Sequence, residues 1–391
     1  MFVAILGRQN KIALAELEAV FGASKVKLLG NQAALVEAET LPIVRFGGSI
    51  RFAKHLVELE NHDFPKSMNY ITANLAKHLE QFETRKVPIG ISAFGFRVKG
   101  RDVAKAALGL KLKFKNSDKS LRILENKKPE LNTAQVRRNK LISKGLELLL
   151  ISNGRSVALA QTSDIQDIDA YAARDQSRPK RDAKVGMLPP KLAQIMLNLA
   201  CSPGHSPKVI ADIYCGTGVV LQEARLMGMD TFGSDLSERM IDYTTGNMNW
   251  LDESHAPAGK MLDLEAVDAT KVQLPDNIDA VVSEMYLGEP LHLPPNHQKL
   301  AELKSENQKL LLDTLKNLAN QLNANAAVVL AIPAWREGRT YTSVLDDPNT
   351  LEQIRNMGYN LPKFKNLKPS DLLYFREDQV VARRLLVLRR D

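Results

Sequence analysis

The chain has 391 residues, 44% of them hydrophobic and 25% charged, and a net charge of +8 at pH 7. This composition is typical of a globular protein with an ample core, and the length predicts two or three domains. It excludes a membrane-spanning protein, because no uninterrupted run of about 18 apolar residues occurs. The two cysteines, Cys201 and Cys215, have no spacing that indicates a disulfide framework or zinc site and favour a reducing cytoplasm.

The first 165 residues predict two successive α+β units, at 1–62 and 63–165. The apolar opening at 3–6 reads as a first strand, because its charge follows a run too short for a signal peptide. The first unit is expected to contain strands at 3–6, 26–29, 33–36 and 53–59 and helices at 14–21 and 42–46. The second is expected to contain helices at 68–82 and 103–112 and strands at 88–94, 121–124 and 157–161. The run at 146–150 is either helix-like or simply buried.

A strongly basic block lies inside the second unit. Residues 97–144 contain 15 Lys and Arg against 4 Asp and Glu, a net charge of +11, whereas the remaining residues sum to −3. Such a concentration of positive charge attracts polyanions, and nucleic acid is the expected partner. A solvated surface with scattered lysines, or a contact with an acidic protein or lipid, is the alternative.

Residues 166–190 have charges of alternating sign and little apolar periodicity, and they predict a linker. Pro189 and Pro190 then begin a helix at 191–201. Beyond it, strands alternate with helices, a pattern typical of a mostly parallel sheet covered on both faces. The expected strands are 209–214, 231–234, 264–267, 278–283, 326–332, 372–375 and 384–388, and the expected helices are 219–227, 238–250, 297–322 and 350–357.

A glycine turn joins the strand at 209–214 to its helix. Gly216 and Gly218 would allow the backbone to approach a ligand closely, and Asp235 closes the next strand, where an acid can bind ribose hydroxyls. This combination predicts a nucleoside-cofactor site, with an ordinary tight turn as the alternative. The phosphate loop Gly-x-x-x-x-Gly-Lys-Ser/Thr is absent from the sequence.

Four strands are expected to end in acids: Asp212, Asp235, Asp268 and Glu284. Ligands of open α/β sheets bind beyond the carboxyl ends of the strands, where these side chains would converge. Asp212 could face the charged tail of a cofactor, Asp235 its ribose and Asp268 an exocyclic adenine amine, with Ala269 beside the ring. A single acid at a strand end is often only a helix N-cap, but four in register make that explanation poor.

The residues at 212–218 and 234–237 resemble the class I S-adenosylmethionine-dependent methyltransferases. More narrowly, Ala-Arg-Asp-Gln-Ser-Arg-Pro-Lys-Arg-Asp at 173–182, followed by Gly-Met-Leu-Pro-Pro-Lys-Leu-Ala at 186–193, is similar to the junction of THUMP-domain tRNA guanosine N2-methyltransferases. Those enzymes modify the guanosine at position ten of tRNA. The opening at 6–18 also looks like theirs, so the resemblance covers essentially the whole chain.

The resemblance implies an α/β protein in which a ferredoxin-like unit at 1–62 and a THUMP RNA-binding domain at 63–165 precede the linker at 166–190. The class I, Rossmann-like methyltransferase domain at 191–391 would contain a mostly parallel seven-stranded sheet. S-adenosylmethionine is the implied cofactor, tRNA the implied partner, and no metal is expected. The protein would act as a monomer or with a small activator subunit.

Candidate site residues follow from the motifs and the resemblance together. The candidate cofactor-binding residues are Asp212, Tyr214, Cys215, Gly216, Gly218, Asp235, Leu236, Asp268 and Ala269. The candidate tRNA-binding residues are Arg97, Lys99, Arg101, Lys111, Lys113, Arg137, Arg138, Arg174 and Arg178. For Arg174 and Arg178 an interdomain ion-pair cluster is an equal alternative, and Cys215 is more readily explained as a small packing residue. Trp335 is either a wall of the target-base pocket or part of the core.

The catalytic motif departs from the family pattern. Family members have Asp/Asn-Pro-Pro-Tyr after the fourth strand, whereas this chain has Ser-Glu-Met-Tyr-Leu-Gly at 283–288. Glu284 keeps an acceptor carboxylate that is one methylene longer, both prolines are absent, and either Tyr286 or Leu287 would contact the base. The candidate catalytic residues are therefore Glu284 and Tyr286.

The expected activity is in-line methyl transfer to the exocyclic N2 amine of a tRNA guanosine. That amine is a poor nucleophile, because its lone pair is delocalised into the ring. A pocket that accepts its N–H groups would aim the lone pair at the methyl group, so positioning and electrostatics supply most of the acceleration. The base must also leave its stack. The alternatives are a catalytically degenerate tRNA-binding protein with this fold, or an amine methyltransferase for another nucleic acid or for protein amides.

Overall fold

The structure is a computed structural model that describes residues 1–182 and 187–391. Its helices are α1 (Asn10–Phe21), α2 (Phe64–Leu79), α3 (Gly100–Lys113), α4 (Thr133–Arg138), α5 (Ile168–Gln176), α6 (Pro190–Leu199), α7 (Val219–Leu226), α8 (Glu238–His255), α9 (His297–Ala319) and α10 (Pro348–Asn356). Its strands are β1 (Phe2–Leu6), β2 (Val26–Leu29), β3 (Ala33–Val36), β4 (Ser49–Glu60), β5 (Lys86–Phe94), β6 (Ser120–Ile123), β7 (Leu146–Ser152), β8 (Ser156–Ile165), β9 (Val209–Asp212), β10 (Asp230–Asp235), β11 (Met261–Ala266), β12 (Ala280–Glu284), β13 (Ala327–Glu337), β14 (Thr340–Thr342), β15 (Tyr359–Asn360), β16 (Leu373–Tyr374) and β17 (Val381–Arg390).

The chain divides into two compact units, each built from separate segments. The first unit comprises Met1–Asn10, Ala23–Val44 and Ser49–Asp167. The second unit comprises Lys11–Gly22, Arg45–Gly48 and Ile168–Asp391. The finer division into a ferredoxin-like part and a THUMP part, with boundaries after residues 62, 165 and 190, stays a prediction.

The first unit contains one sheet of eight strands in the order β2-β3-β1-β4-β8-β7-β5-β6. Its strands pair antiparallel, except that β5 runs parallel to both β6 and β7. Apolar residues of α2 and α3, such as Ile71 and Leu110, pack against β5 and β7. The run at 146–150 is therefore strand, and its complete burial explains why its sequence lacks the alternation of a half-exposed strand.

The sheet of the second unit has the order β11-β10-β9-β12-β13-β17-β15. Strands β9 to β13 are mutually parallel, and β17 runs antiparallel between β13 and β15. The order proceeds outward from β9 in both directions, so the switch point of the sheet lies between β9 and β12. Apolar residues of α6 and α7 cover one face and those of α9 and α10 cover the other, as the predicted Rossmann-like class requires.

Helix α1 belongs to the second unit although it precedes most of the first along the chain. Ile12 and Ala15 join the cluster formed by α6 and α7. Buried Glu16 accepts the backbone N–H groups of Gly47 and Gly48, both at 2.9 Å, and the Asn198 amide at 2.8 Å. Three donors thus satisfy a carboxylate that burial would otherwise disfavour.

The segment predicted to be a linker contains a helix, α5. Its apolar face is short: Tyr171 is buried, donates its hydroxyl hydrogen bond to Gln194 and lies under Arg174, whose guanidinium is 4.5 Å from the ring centroid. One buried aromatic residue is too little for the helical periodicity to show in sequence. The family-like motif at 186–193 begins at Gly186, which lies outside the described residues.

Residues 1–182 and 187–391, which the structure describes, contain neither a membrane-spanning helix nor a cluster of metal-binding side chains. Within them, no helix combines the length and the apolar character needed to cross a bilayer. In the same ranges, histidine, cysteine and carboxylate side chains form no cluster that could hold a metal ion.

Candidate active site

A cavity of about 550 Å³ lies at the carboxyl edge of the second unit's sheet. Because β9, β10, β11 and β12 are parallel, the residues that end or follow them meet at this edge. The predicted residues that line the cavity are Asp212, Tyr214, Cys215, Gly216, Asp235, Leu236, Asp268, Ala269, Glu284 and Tyr286. Its volume is within the usual range for small-molecule sites.

The glycine loop between β9 and α7 is held in a strained shape that only glycine adopts easily. Gly216 and Gly218 have φ values of +52° and +81°. A Cβ atom at Gly218 would lie only 2.9 Å from Thr244 Cγ2. Thr244 Oγ1 donates to the Gly216 carbonyl at 2.8 Å, and the Gly216 N–H donates to Asp235 Oδ2 at 2.9 Å. Two side chains thus fix the loop beside the cavity.

Two of the four acids are shaped by local hydrogen bonds. Asp235 also accepts the Ser237 N–H, at 3.0 Å, and therefore ties the glycine loop to the start of α8. Asp268 accepts from the backbone and hydroxyl of Thr270, both at 2.8 Å, and these bonds lower the pKa of its carboxyl. Leu236 is 77% exposed beside these acids and gives the rim an apolar surface.

Asp212 differs from the others because it is buried. It accepts the Ser283 hydroxyl at 2.7 Å, and Ser283 in turn accepts the Ile213 N–H at 2.8 Å, so this chain of bonds joins β9 to β12. Burial raises the pKa of the Asp212 carboxyl from 3.8 to about 7, and the nearby acids Asp235 and Glu284 add to the rise. Near neutral pH the fold therefore favours a proton on Asp212.

Replacement of Asp212 with asparagine is expected to stabilise the second unit at pH 8. The pKa is higher in the folded protein than in the unfolded chain, so the native state loses stability as pH rises from about 4 through 7. Asparagine does not titrate, and the free energy of unfolding should rise by about 1–4 kcal/mol at pH 8. Urea unfolding of the wild type and of Asp212→Asn would measure the gain in the free energy of unfolding, which should be smaller at pH 5 than at pH 8. A gain that is equal at both values would contradict the assignment, and exposed Asp263→Asn is the matched control.

The other two cavity residues next to the loop are suited to packing rather than to chemistry. Cys215 is buried, packs with Leu221 and Met248, and burial raises the pKa of its thiol well above the usual range. The Tyr214 hydroxyl lies 2.6 Å from Thr314 Oγ1, and burial raises its pKa to about 12. A reactive thiolate or phenolate is disfavoured at both positions.

Glu284 ends β12 and forms an ion pair that the sequence did not indicate. Arg383, on β17, donates its Nε–H to Glu284 Oε1. Burial raises the pKa of the Glu284 carboxyl, and the adjacent guanidinium opposes the rise. Tyr286 lines the cavity and is 55% exposed. Trp335 is only 2% exposed within β13, so it is part of the core, which was the alternative to a wall of the target-base pocket.

The arginines of the predicted linker contact the second unit itself. Arg174 pairs with fully buried Glu223, with Nε 2.8 Å from Oε1. Arg178 is buried, lies 3.5 Å from Thr217 Oγ1 in the glycine loop, and is 3.7 Å from Asp175. These contacts lie within the second unit, and both the interdomain ion-pair cluster and the contact of Arg174 and Arg178 with RNA stay predictions.

The predicted RNA-binding residues of the first unit are all exposed: Arg97, Lys99, Arg101, Lys111, Lys113, Arg137 and Arg138. Lys111 and Lys113 occupy the last turn of α3, and Arg137 and Arg138 the last turn of α4. Arg137 also pairs with Asp167. Their exposure leaves them accessible to a polyanion, and their contact with tRNA stays a prediction.

Sequence reasoning missed two residues that shape this site. Asn247 on α8 donates to the Thr217 carbonyl at 2.8 Å and exchanges two hydrogen bonds of 3.0 Å with the backbone of Lys180. Arg383 was missed because its partner lies 99 positions earlier. Its signal was a pair of adjacent arginines directly before the apolar run at 385–388, since buried arginines require partners.

The strand order, the reversed β17 and the cavity beside the glycine loop define the Rossmann-like fold of class I methyltransferases. The chain is 29% identical over 174 residues to the tRNA (guanine(10)-N2)-dimethyltransferase of Methanothermobacter thermautotrophicus, a match that covers 44% of this chain and 45% of that protein. It is 27% identical over 169 residues to the enzyme of the same name from Methanocaldococcus jannaschii, covering 42% of each. These matches confirm the resemblance to tRNA guanine N2-methyltransferases.

The chain spans under half the length of the curated relatives it matches. Among solved structures, the crystal structure of TrmN from Thermus thermophilus has a TM-score of 0.53 at 14% identity and covers 100% of this chain and 99% of that one. This likeness supports the fold. No family model matches the chain.

Proposed function

We propose that the protein is an S-adenosylmethionine-dependent tRNA methyltransferase that acts on the exocyclic N2 amine of a guanosine, at position ten. The observation that carries the proposal is the cavity at the carboxyl edge, which Asp212, Asp235, Asp268 and Glu284 line together with Gly216 of the glycine loop. The curated relatives are tRNA guanine N2-dimethyltransferases. We place the reaction in the cytoplasm, where both cysteines stay reduced.

The residues at the cavity fit S-adenosylmethionine. Asp235 would accept the ribose hydroxyls, Asp268 the adenine amine, and Asp212 the amino group of the methionine portion. The positive φ values of Gly216 and Gly218 let the backbone approach this ligand without a Cβ in the way. When bound, S-adenosylmethionine would supply an electrophilic methyl group bonded to its sulfonium sulfur, and loss of that methyl group leaves a neutral thioether.

The acceptor side of the cavity suits an extruded purine. The Glu284 carboxylate can accept N–H hydrogen bonds from the exocyclic amine of the base. These bonds would turn the lone pair of the amine nitrogen toward the methyl donor. The exposed ring of Tyr286 offers a surface on which the flipped base can stack. Both roles require positioning alone, and no covalent bond to the protein forms.

The exposed cations of residues 97–144 would bring the tRNA to the enzyme. Seven predicted contact residues are exposed on the first unit, and their field would favour any polyanion. Selection of one nucleotide then depends on the fit of the flipped base in the cavity, because phosphate contacts carry no sequence information.

The proposal is tested with the purified full-length chain, S-adenosylmethionine and an unmodified tRNA transcript. Nucleoside mass spectrometry should detect N2-methylguanosine or its dimethylated form. A transcript with adenosine at position ten is the matched control and should remain unmodified. Absence of both products from the guanosine transcript would overturn the target-atom assignment, and product in both transcripts would overturn the position.

The degenerate alternative rests on two observations: the two family prolines are replaced, and Glu284 is paired with Arg383. It predicts tight tRNA binding with weak or absent S-adenosylmethionine binding. Titration calorimetry with the cofactor decides between the two functions. Competition between tRNA and duplex DNA for the protein decides whether another nucleic acid is the substrate.

A further inference from the structure

We propose that Arg383 is a positioning residue for methyl transfer, which holds the Glu284 carboxylate ionised and in one orientation at the cavity wall. The inference rests on the proposed function and deepens it. Arg383 would supply the rigidity that two prolines directly after the acid give in the family pattern.

The sheet register shows why these two long side chains meet. Glu284 pairs with Ala331 on β13, and Arg383 pairs with Pro333 on the same strand from the other side. The ion pair therefore crosses β13, one whole strand. Such a span requires two long side chains, and an aspartate at position 284 would draw its carboxylate away from the guanidinium by one carbon–carbon bond.

The two groups are also removed from bulk water. The side chains of Arg383 and Glu284 are 6% and 17% exposed, so their attraction is only weakly screened. Arg383 Nε binds Glu284 Oε1, and Glu284 also lines the cavity. One carboxylate oxygen is thus anchored while the side chain still reaches the site of the acceptor.

The charges around Glu284 separate it from its neighbour Asp212. Arg383, from β17, faces Glu284 and favours its ionised form, whereas the charged groups that act on Asp212 are the two acids Asp235 and Glu284. Of these two acids at neighbouring strand ends, Glu284 is the one that the guanidinium contacts.

The test compares Arg383→Gln with Arg384→Gln. Arg384 is its neighbour on β17, is equally buried at 5% exposed, and lies 3.7 Å from Asp346. Successive residues of a strand point to opposite faces, so Arg384→Gln breaks a buried arginine contact away from the cavity. Both variants should lose stability. A loss of methylation rate that occurs only in Arg383→Gln is therefore catalytic rather than structural.

Arg383→Gln is expected to lower the single-turnover rate of tRNA methylation by about 10- to 100-fold, the range of one charge-assisted hydrogen bond. Cofactor affinity should not change. The acidic limb of the pH–rate profile should move to higher pH, because Glu284 loses its stabilising cation. Arg383→Lys should keep the limb in place and recover part of the rate. An unchanged rate in Arg383→Gln, an equal loss in Arg384→Gln, or an unmoved limb would overturn the inference.

Two further measurements cover the remaining outcomes. If Arg383→Gln fails to fold, the double variant with Glu284→Gln removes both charges and should be no slower than Glu284→Gln alone; an additional loss would contradict the coupling. If the wild-type chain methylates no tRNA, the proposed function fails. Crystal structures of the wild type and of Arg383→Gln then test whether Arg383 positions the Glu284 carboxylate. Displacement of the Glu284 carboxylate by more than about 0.5 Å in Arg383→Gln supports positioning, and an unmoved carboxylate overturns it.

Discussion

Replacement of Glu284 with glutamine is expected to slow methyl transfer to tRNA by about 10²- to 10⁴-fold, because a neutral amide accepts the amine N–H groups far more weakly than a carboxylate. S-adenosylmethionine binding should persist, since the candidate cofactor residues belong to or follow β9, β10 and β11. Single-turnover kinetics measure the first effect and titration calorimetry the second. Glutamine is nearly isosteric, so the cavity keeps its shape.

Glu289→Gln is the matched control for this variant. Glu289 is exposed, follows in the same loop and lies outside the cavity lining, so its replacement should leave the rate unchanged. Glu284→Ala should also abolish transfer, but it removes the acceptor of Arg383 Nε–H, which glutamine keeps as an amide oxygen, and it should destabilise the fold by about 3–5 kcal/mol. Wild-type rates in both Glu284 variants would remove this residue from the mechanism.

Replacement of Asp235 with alanine is expected to weaken S-adenosylmethionine binding on the order of 100-fold. The change removes the acceptor for the ribose hydroxyls and releases the Gly216 and Ser237 N–H groups, which Asp235 holds at 2.9 and 3.0 Å. Titration calorimetry measures the affinity directly.

Asp230→Ala provides the comparison, because Asp230 begins the same strand and its carboxylate also accepts a backbone N–H, that of Lys260, at 2.8 Å. It lies at the amino end of β10, away from the cavity, and its loss should lower stability without changing affinity. Equal affinity in Asp235→Ala and the wild type would refute the assignment of the ribose site.

Local chemistry made the geometry of the glycine loop and of the neighbouring strand ends predictable. Gly216 and Gly218 occupy positions of positive φ that the pattern of an apolar strand, two glycines and a helix requires. Asp235 and Asp268 follow strands whose parallel arrangement brings their ends together. The candidate cofactor side therefore depends on residues close in sequence, or on regular alternation of strands and helices.

The acceptor side depends on contacts between distant parts of the chain, and sequence patterns do not report them. The partner of Glu284 is 99 positions away on an antiparallel strand. Trp335 is buried near the end of β13, where it pairs with Thr342 on β14 and Val381 on β17, and its burial follows from these strands rather than from its neighbours in sequence. Helix α5 was not predicted because its polar residues bind partners far away in sequence, such as Glu223 for Arg174, and a sequence pattern does not show such partners.

The discontinuity of the second unit also constrains how this protein folds during its own synthesis. Helix α1 emerges from the ribosome early, yet its Glu18 accepts hydrogen bonds from Lys365 and Asn366, which are 347 and 348 positions later. At roughly 5–20 residues per second, this separation corresponds to about 17–70 s of translation. The Glu18 carboxylate thus waits for its native partners long after α1 has been made, and a nascent chain stalled before α6 and α7 would expose Ile12 and Ala15 to aggregation or to chaperones.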